Sequence, residues 1–484
     1  MKKNYIFAGI SVLVFALIMM LPLPPEIVTV KGPVALTAAG KASLAVLAMV
    51  VILWVTEAVA FPIAGFIGMA LLVITGAASL KNMVQEGFGN TIIMFFIGVT
   101  VFSVAIEQTN LLKRLTNRML YKIGHSPKLI ILAFLIIGTV VSAWITDMAV
   151  AAIMTPIAVA ILKNAGIQPL KSNFGRSLLI SCAWGALIGG IATPAGCGPN
   201  PLTMAFLKDL AGVNFSFVDW MILGIPSALL MVPCAWFILL KTFPLEDMSL
   251  AIDYETFEKN KASYGKFQKN EVATLVIALI TIVLWIMGDL IGKWTGGKIS
   301  YLGIEFVAIA SACVFFLPGL NILDWKKAEK DMGWGSILLI ATGLAMGMAV
   351  YKAGAAAWLA QVVFNKVGLL HPLAIIFAVV VGISLLKVVF SSNTVTGVIM
   401  VPLLIALARQ LDMDPSLLAI PAGMTSSLAF LLVTSTPTNV IPYTAGYFTI
   451  KDMAKAGIWM TLASGICVTV GLAVFGKLSG LINW

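Results

Sequence analysis

The sequence predicts an all-α polytopic membrane protein with room for roughly ten to twelve spans, built as two repeats with broken helices, which we infer to be inverted. Three observations lead there. Only 11% of the 484 residues are charged, 60% are apolar, and the mean hydropathy is +1.03. Apolar runs near the length of a membrane span (~20 residues) recur along the whole chain. The two halves also resemble each other. A soluble globular domain carries about 25% charged residues. A chain this long with so few charges cannot cover a water-facing surface, which excludes a soluble cytosolic enzyme.

The apolar runs lie near 5–22, 42–59, 62–77, 91–106, 128–163, 176–192, 219–240, 271–292, 302–319, 336–351, 372–409, 416–434 and 455–481. Some are too short for a span, and others are long but interrupted. None shows the alternation of a transmembrane barrel. The first run could be mistaken for a signal peptide, but Leu21-Pro22-Leu23-Pro24-Pro25 follows it instead of a small-residue cleavage site. It reads as a retained first span.

The formal charge of +10 does not mark a nucleic-acid binder. Lys2 and Lys3, the cluster Lys113, Arg114, Arg118 and Lys122, and Lys326, Lys327 and Lys330 sit between apolar runs, as cytoplasmic loops do. The longest polar stretch runs from Leu245 to about Asn270 with nearly balanced charge, and reads as a surface linker with a short amphipathic helix. The expected organisation is an N-terminal span and loop over 1–40, a first repeat over 41–240, a linker over 241–270 and a second repeat over 271–484.

Three matches relate the halves. The segment starting Gly89-Asn90-Thr91 aligns with the one starting Trp334-Gly335-Ser336, an offset of 245. Thr146-Asp147-Met148 with Pro156 aligns with Ser392-Asn393-Thr394 with Pro402, an offset of 246. Cys197-Gly198-Pro199-Asn200 aligns with Thr436-Pro437-Thr438-Asn439, an offset of 239. Paired interrupted segments at corresponding positions are the sequence pointer to a secondary transporter and to its binding site.

The polar cluster Ser391-Ser392-Asn393-Thr394-Val395-Thr396-Gly397 interrupts an apolar run. Such side chains compete for backbone hydrogen bonds, and irregular backbone at membrane depth is tolerated where it lines a watery cavity. An unwound tip offers carbonyls to a cation and N–H groups to an anion. The competing reading is polar residues cementing helix packing. The second candidate is Thr434-Ser435-Thr436-Pro437-Thr438-Asn439 with its counterpart from Gly189 to Asn200, which includes Gly196. An ordinary surface loop would also favour Gly, Pro and Asn there.

Ionisable residues in or at the ends of apolar runs are few, and Glu57, Glu107, Asp147, Lys352 and Lys387 are singled out among them. Buried charges in a membrane are functional candidates, although long side chains near span ends can snorkel. Asp147 stands out because it occupies the repeat position of Asn393. His125 and His371 stand alone, and neither H-E-x-x-H nor a G-x-x-x-x-G-K-[ST] loop is present, which argues against zinc chemistry and ATP-driven pumping. No G-x-S-x-G supports an intramembrane hydrolase. The five cysteines have no C-x-x-C spacing and imply neither a metal site nor a disulfide framework. No enzyme activity and no cofactor are expected. A channel stays open as an alternative, with saturable counterflow as the discriminator.

On these residues the chain resembles the divalent anion/sodium symporter family, the INDY-type carriers of di- and tricarboxylates. Ser392-Asn393-Thr394 matches the family's Ser-Asn-Thr signature, with a degraded first copy at Thr146-Asp147-Met148. Trp54-Val55-Thr56-Glu57-Ala58 resembles its Trp-x-Thr-Glu-Ala stretch, and Thr436-Pro437-Thr438-Asn439 and Gly198-Pro199-Asn200 resemble its Pro-Pro-Asn tips. The resemblance spans about residues 50 to 450. It implies a homodimer in the cell membrane, about eleven transmembrane helices in inverted repeats, scaffold and transport domains and two re-entrant hairpins in each protomer, and elevator-like alternating access.

The resemblance also implies site roles. Substrate carboxylates would meet Asp147, Met148, Ser392, Asn393, Thr394, Thr436 and Pro437, with Asn200 and Asn439 at the tips. A first cation site would involve Thr146, Asp147, Met148 and backbone near Gly196; a second would involve Ser392, Asn393 and backbone near Ser435. Two residues depart from that pattern. Met148 offers a thioether, a poor ligand for hard cations, and Asp147 places a carboxylate where a neutral amide is expected. With Lys387 five residues before Ser392, the expectation is that fixed charge partly replaces bound sodium. The expected function is exchange of small dicarboxylates such as succinate, malate, fumarate or 2-oxoglutarate. The alternatives are a sodium-coupled di/tricarboxylate symporter, with Na+ as coupling ion, and a sulfate or phosphate carrier.

Overall fold

A computed structural model describes residues 2–29, 32–123, 126–247, 265–296, 298–299, 302–320, 322–364 and 370–482. Helix α1 (Lys2–Met20) is ended by the prolines at 22, 24 and 25. A two-stranded ribbon follows, in which β1 (Ile27–Thr29) pairs antiparallel with β2 (Gly32–Val34). β-branched Ile27, Val28 and Thr29 just after a proline-rich stretch favour an extended chain over a helix here, and this short ribbon leaves the expected all-α class intact.

The remainder is helical. The first half holds α2 (Ala38–Thr56), α3 (Phe61–Ile74), α4 (Leu80–Glu86), α5 (Ile92–Glu107), α6 (Leu111–Ile123), α7 (Pro127–Ser142), α8 (Asp147–Asn164), α9 (Asn173–Gly190), α10 (Pro199–Phe206) and α11 (Phe217–Thr242). The second holds α12 (Lys269–Trp294), α13 (Ile304–Val314), α14 (Trp325–Asp331), α15 (Trp334–Lys352), α16 (Ala355–Phe364), α17 (Pro372–Leu386), α18 (Asn393–Gln410), α19 (Ser416–Ser427), α20 (Pro437–Tyr443) and α21 (Ile450–Gly471). The two lists correspond one to one in order and broadly in length. Most of the linker, residues 248–264, lies outside the described residues, and so does His125.

The contacts between the halves come in swapped pairs. α3 packs on α15, and α5 on α13. α8 packs on α20, and α10 on α18; α9 packs on α20, and α10 on α19. α11 packs on α21, its own counterpart. A two-fold relation between the halves produces this pattern. The equivalent helices α8 and α18 meet at their first residues, yet they do not pack along each other. They therefore diverge from a shared point, as helices of inverted repeats do.

Among the described residues, eight helices are long and apolar enough to cross a membrane, or nine if α5 and α6, bent by 61°, count as one span. α3, α7, α13 and α17 are apolar but shorter. The 16 residues of α7 and 15 of α17 reach only about 24 Å at 1.5 Å per residue, short of the ~30 Å hydrocarbon core. Both stop where their apolar runs continue, and a new helix begins after a gap. The two longest runs of the sequence are thus helix–tip–helix units. Small residues let α7 and α9 approach closely: a Cβ on Gly185 would lie 3.0 Å from the Leu135 carbonyl oxygen, and one on Gly189 would collide with that of Thr139.

Candidate functional site

The two tips meet. Asp147 is the first residue of α8 and Asn393 the first of α18, and Asn393 Nδ2 donates to Asp147 Oδ2 at 3.2 Å. Each helix start suits its residue. Asp147 puts a negative charge at a helix N-terminus, and its Oδ1 accepts the Met148 N–H at 2.9 Å, satisfying an otherwise unpaired helix donor. In the second tip Ser392 is the N-cap, its hydroxyl accepting the Val395 N–H at 3.4 Å.

Lys387 completes the arrangement. It terminates α17, where a cation complements the helix dipole, and only 1% of it is exposed. Its ammonium donates to Asn393 Oδ1 at 2.7 Å. The Asn393 amide therefore lies between the two charges, accepting from Lys387 on one side and donating to Asp147 on the other. The ammonium occupies an acceptor oxygen that the family resemblance gives to a second cation. Among the described residues, the nearby Ser435 hydroxyl is buried without a hydrogen-bond partner.

Facing these tips are two loops, 191–198 between α9 and α10 and 428–436 between α19 and α20. They are held alike. Asn200 Nδ2 donates to the carbonyls of Gly190 at 2.8 Å and Thr193 at 2.7 Å. Asn439 Nδ2 donates to those of Ala429 at 2.6 Å and Leu432 at 3.1 Å. The intervals, ten and seven residues back, are identical in both halves. Both loops also rest on a glycine of the last helix of their repeat: a Cβ on Gly224 would strike the Ile191 carbonyl, and one on Gly457 that of Phe430. Those helices open with matching capping boxes, Ser216 with Asp219 and Thr449 with Asp452.

The residues singled out in the sequence fall into three groups. Asp147, Asn393 and Lys387 form the chain just described. Ser392, Thr394 and Thr146 stand half-buried on the same tips, while Met148 and Pro437 are exposed. Thr394 faces the first-repeat loop, since a Cβ on Gly198 would come within 3.0 Å of its hydroxyl. Thr438 faces Asp147, and Thr436 stands within 3.5 Å of the Thr438 hydroxyl. Asn200, Asn439 and Gly196 are buried, and both asparagines spend their amide N–H groups on loop carbonyls.

One contact had no signal in the sequence. Glu57, at the end of α2 with φ of +51°, accepts a hydrogen bond from Ser391 at 2.7 Å. The polar cluster and the Trp-x-Thr-Glu-Ala stretch were each visible, but 334 residues separate the partners.

A two-fold repeated helical bundle with broken helices meeting at charged tips defines a multi-pass membrane transporter. The chain belongs to the family described as the sodium:sulfate symporter transmembrane region, whose model matches residues 3–482. It is similar to the sodium-dependent dicarboxylate transporter SdcS of Staphylococcus saprophyticus, at 29% identity over 432 residues, covering 86% of this chain and 82% of the relative. SdcS of Staphylococcus aureus strain USA300 is 29% identical over 430 residues, with the same coverage. Two solved structures share the fold. MtrF of Neisseria gonorrhoeae, described as illuminating a class of antimetabolite efflux pumps, aligns with a TM-score of 0.58 at 12% identity over 97% of this chain and 94% of its own. The YdaH transporter of Alcanivorax borkumensis aligns at 0.59 and 14% identity over 99% and 98%. The chain is a carrier of the cell membrane, not an enzyme.

Proposed function

We propose that this protein carries small dicarboxylates, and that it does so by exchanging one for another. The observation that carries the reading is the Lys387–Asn393–Asp147 chain. Two repeat-related tips can each hold one carboxylate through hydroxyl, amide and helix N–H groups. A dianion in a membrane needs charge compensation. Here the ammonium of Lys387 stands at the second tip, bonded to the oxygen a bound cation would use, and it cannot leave with the substrate. Two cations there would repel each other in a poorly screened environment. A carrier with a built-in cation gains little from a sodium gradient, so return of the loaded tip with another dianion becomes its natural cycle.

A second reading is supported by the relatives, which are named sodium-dependent dicarboxylate transporters. Asp147 leaves an anionic oxygen donor at the first tip, which suits a sodium ion or a proton. Sulfate, with its charge on one centre, would span both tips less well than a C4 dicarboxylate. In the proposed cycle Asn393, Thr394, Ser392 and Thr436 contact substrate, and a homodimer with elevator-like movement is part of the same proposal.

Counterflow separates the readings. Proteoliposomes loaded with succinate are expected to take up labelled succinate without sodium, and empty ones to take up little. Strong uptake into empty vesicles that requires an inward sodium gradient would replace exchange with symport.

A further inference from the structure

A groove of about 1230 Å³ lies between α6, α7 and α12. Its two ends differ in chemistry. One end carries Arg118, Lys122 and Lys266. The other is apolar, with Val140, Leu275 and Leu279 exposed along it. Among the described residues, no Asp or Glu lines it.

The basic end is assembled on purpose by Arg114. Its guanidinium donates to the carbonyls of Gly265 at 2.9 Å and Lys266 at 3.1 Å, pairs with Glu271 at 3.2 Å, and covers the Phe267 ring at 4.6 Å. These contacts dock the segment before α12 onto α6, so that Lys266 lines the same groove as Arg118 and Lys122. Arg114, Arg118 and Lys122 recur at four-residue intervals, on one face of α6. Arg114 is matched by Glu271, and the three other positive charges on the rim face no carboxylate among the described lining residues.

From the basic end the groove follows α12 to Ile282, about 20 Å from the helix start at 1.5 Å per residue. That is more than half of the ~30 Å hydrocarbon core. Its wall on the far side includes Trp144 and Ile145, in the break between α7 and α8 just before Asp147. A ligand that fits has one anionic end and one long apolar end, and reaches the site from within the bilayer.

We propose that this groove is a binding site for one anionic phospholipid, its phosphate held by Arg118, Lys122 and Lys266 and an acyl chain lying along α12 towards Trp144. Basic pockets between transmembrane helices bind anionic headgroups in this way. The lipid would sit against the backbone that positions Asp147.

The test is native mass spectrometry of the full chain after reconstitution in phosphatidylcholine vesicles containing a minority of phosphatidylglycerol, followed by detergent extraction. The wild-type chain is expected to retain a phosphatidylglycerol and to release phosphatidylcholine. Arg118→Gln, Lys122→Gln and Lys266→Gln are each expected to weaken retention about fivefold, and the three together about a hundredfold. Leu279→Trp, which fills the apolar end and leaves the charges, is expected to abolish retention. Equal retention of both lipids by the wild type, or undiminished phosphatidylglycerol on the triple variant or on Leu279→Trp, would overturn the assignment. Glu271 and Arg114 stay intact throughout, so the docking of α12 on α6 is preserved.

Discussion

Asn393 donates its amide hydrogen to the carboxylate of Asp147, 246 positions earlier, and the two residues hold the same place in the two halves of the chain. The contact therefore lies where the two-fold relation brings the halves together. One tip has kept the amide and the other has exchanged it for a charge. Lys387, bonded to the amide from the opposite side, supplies the countercharge.

Neutralising one charge of this chain should cost more than neutralising both. Lys387→Met leaves Asp147 buried and uncompensated, a loss of about 3–5 kcal/mol. Adding Asp147→Asn is expected to restore much of the thermal stability, measured by unfolding of detergent-solubilised protein, without restoring exchange. A double variant no more stable than Lys387→Met would show that the two charges do not compensate each other.

Asn393→Ala and Thr394→Ala are expected to insert normally and bind weakly. Losing a hydrogen bond to a charged group costs about 1.5–3 kcal/mol, hence roughly ten- to a hundredfold in affinity. Equilibrium succinate binding by purified protein reads this directly. Unchanged affinity in both variants would place the substrate elsewhere.

Asn200→Ala and Asn439→Ala should instead act on stability. Each strands two buried loop carbonyls, at about 1–3 kcal/mol per unsatisfied group. The two variants are expected to lower the melting temperature by similar amounts, because the two clamps have the same geometry. A large loss in one and none in the other would break the structural equivalence.

Glu246 offers a pH-dependent contribution outside the spans. Desolvation pushes its carboxyl up, but the N–H groups of Asn173 and Phe174 and the Ser172 hydroxyl outweigh this and hold it below its ordinary value. Its stabilisation of the α9 start is present above the unfolded carboxyl's pKa, about 4.3, and is lost as pH falls through the lower folded value. Being exposed, it contributes at most about 1 kcal/mol. Glu246→Gln should lower the melting temperature slightly at pH 7 and not at all at strongly acidic pH; an equal decrease at both would reject the linkage.

Much of this was legible in the sequence because composition and repetition are properties of the string. The Asp147 and Asn393 equivalence, the paired prolines Pro156 and Pro402 inside α8 and α18, and the interrupted runs all follow from residue order. Side-chain direction does not. Asn200 and Asn439 look like tip residues free to meet a ligand, yet both turn back onto their own loops. Lys387 and Asp147 had no visible link because their connection passes through Asn393. The Glu57–Ser391 contact joins residues 334 apart, and no local pattern encodes such a distance. The short helices α7 and α17 were hidden because each continues, in composition, straight into the helix after its tip.

The two asparagine clamps bear on selectivity. Loops 191–198 and 428–436 have their backbone anchored by asparagines of the protein itself. Ordering them is thus part of folding, and in the proposed binding mode an anion between the tips would meet a mould of fixed width. Rigid receptors lose little entropy on association but forgive little in shape. Discrimination between anions would then rest on the spacing of their charged ends, with chain length felt more sharply than substituents along it.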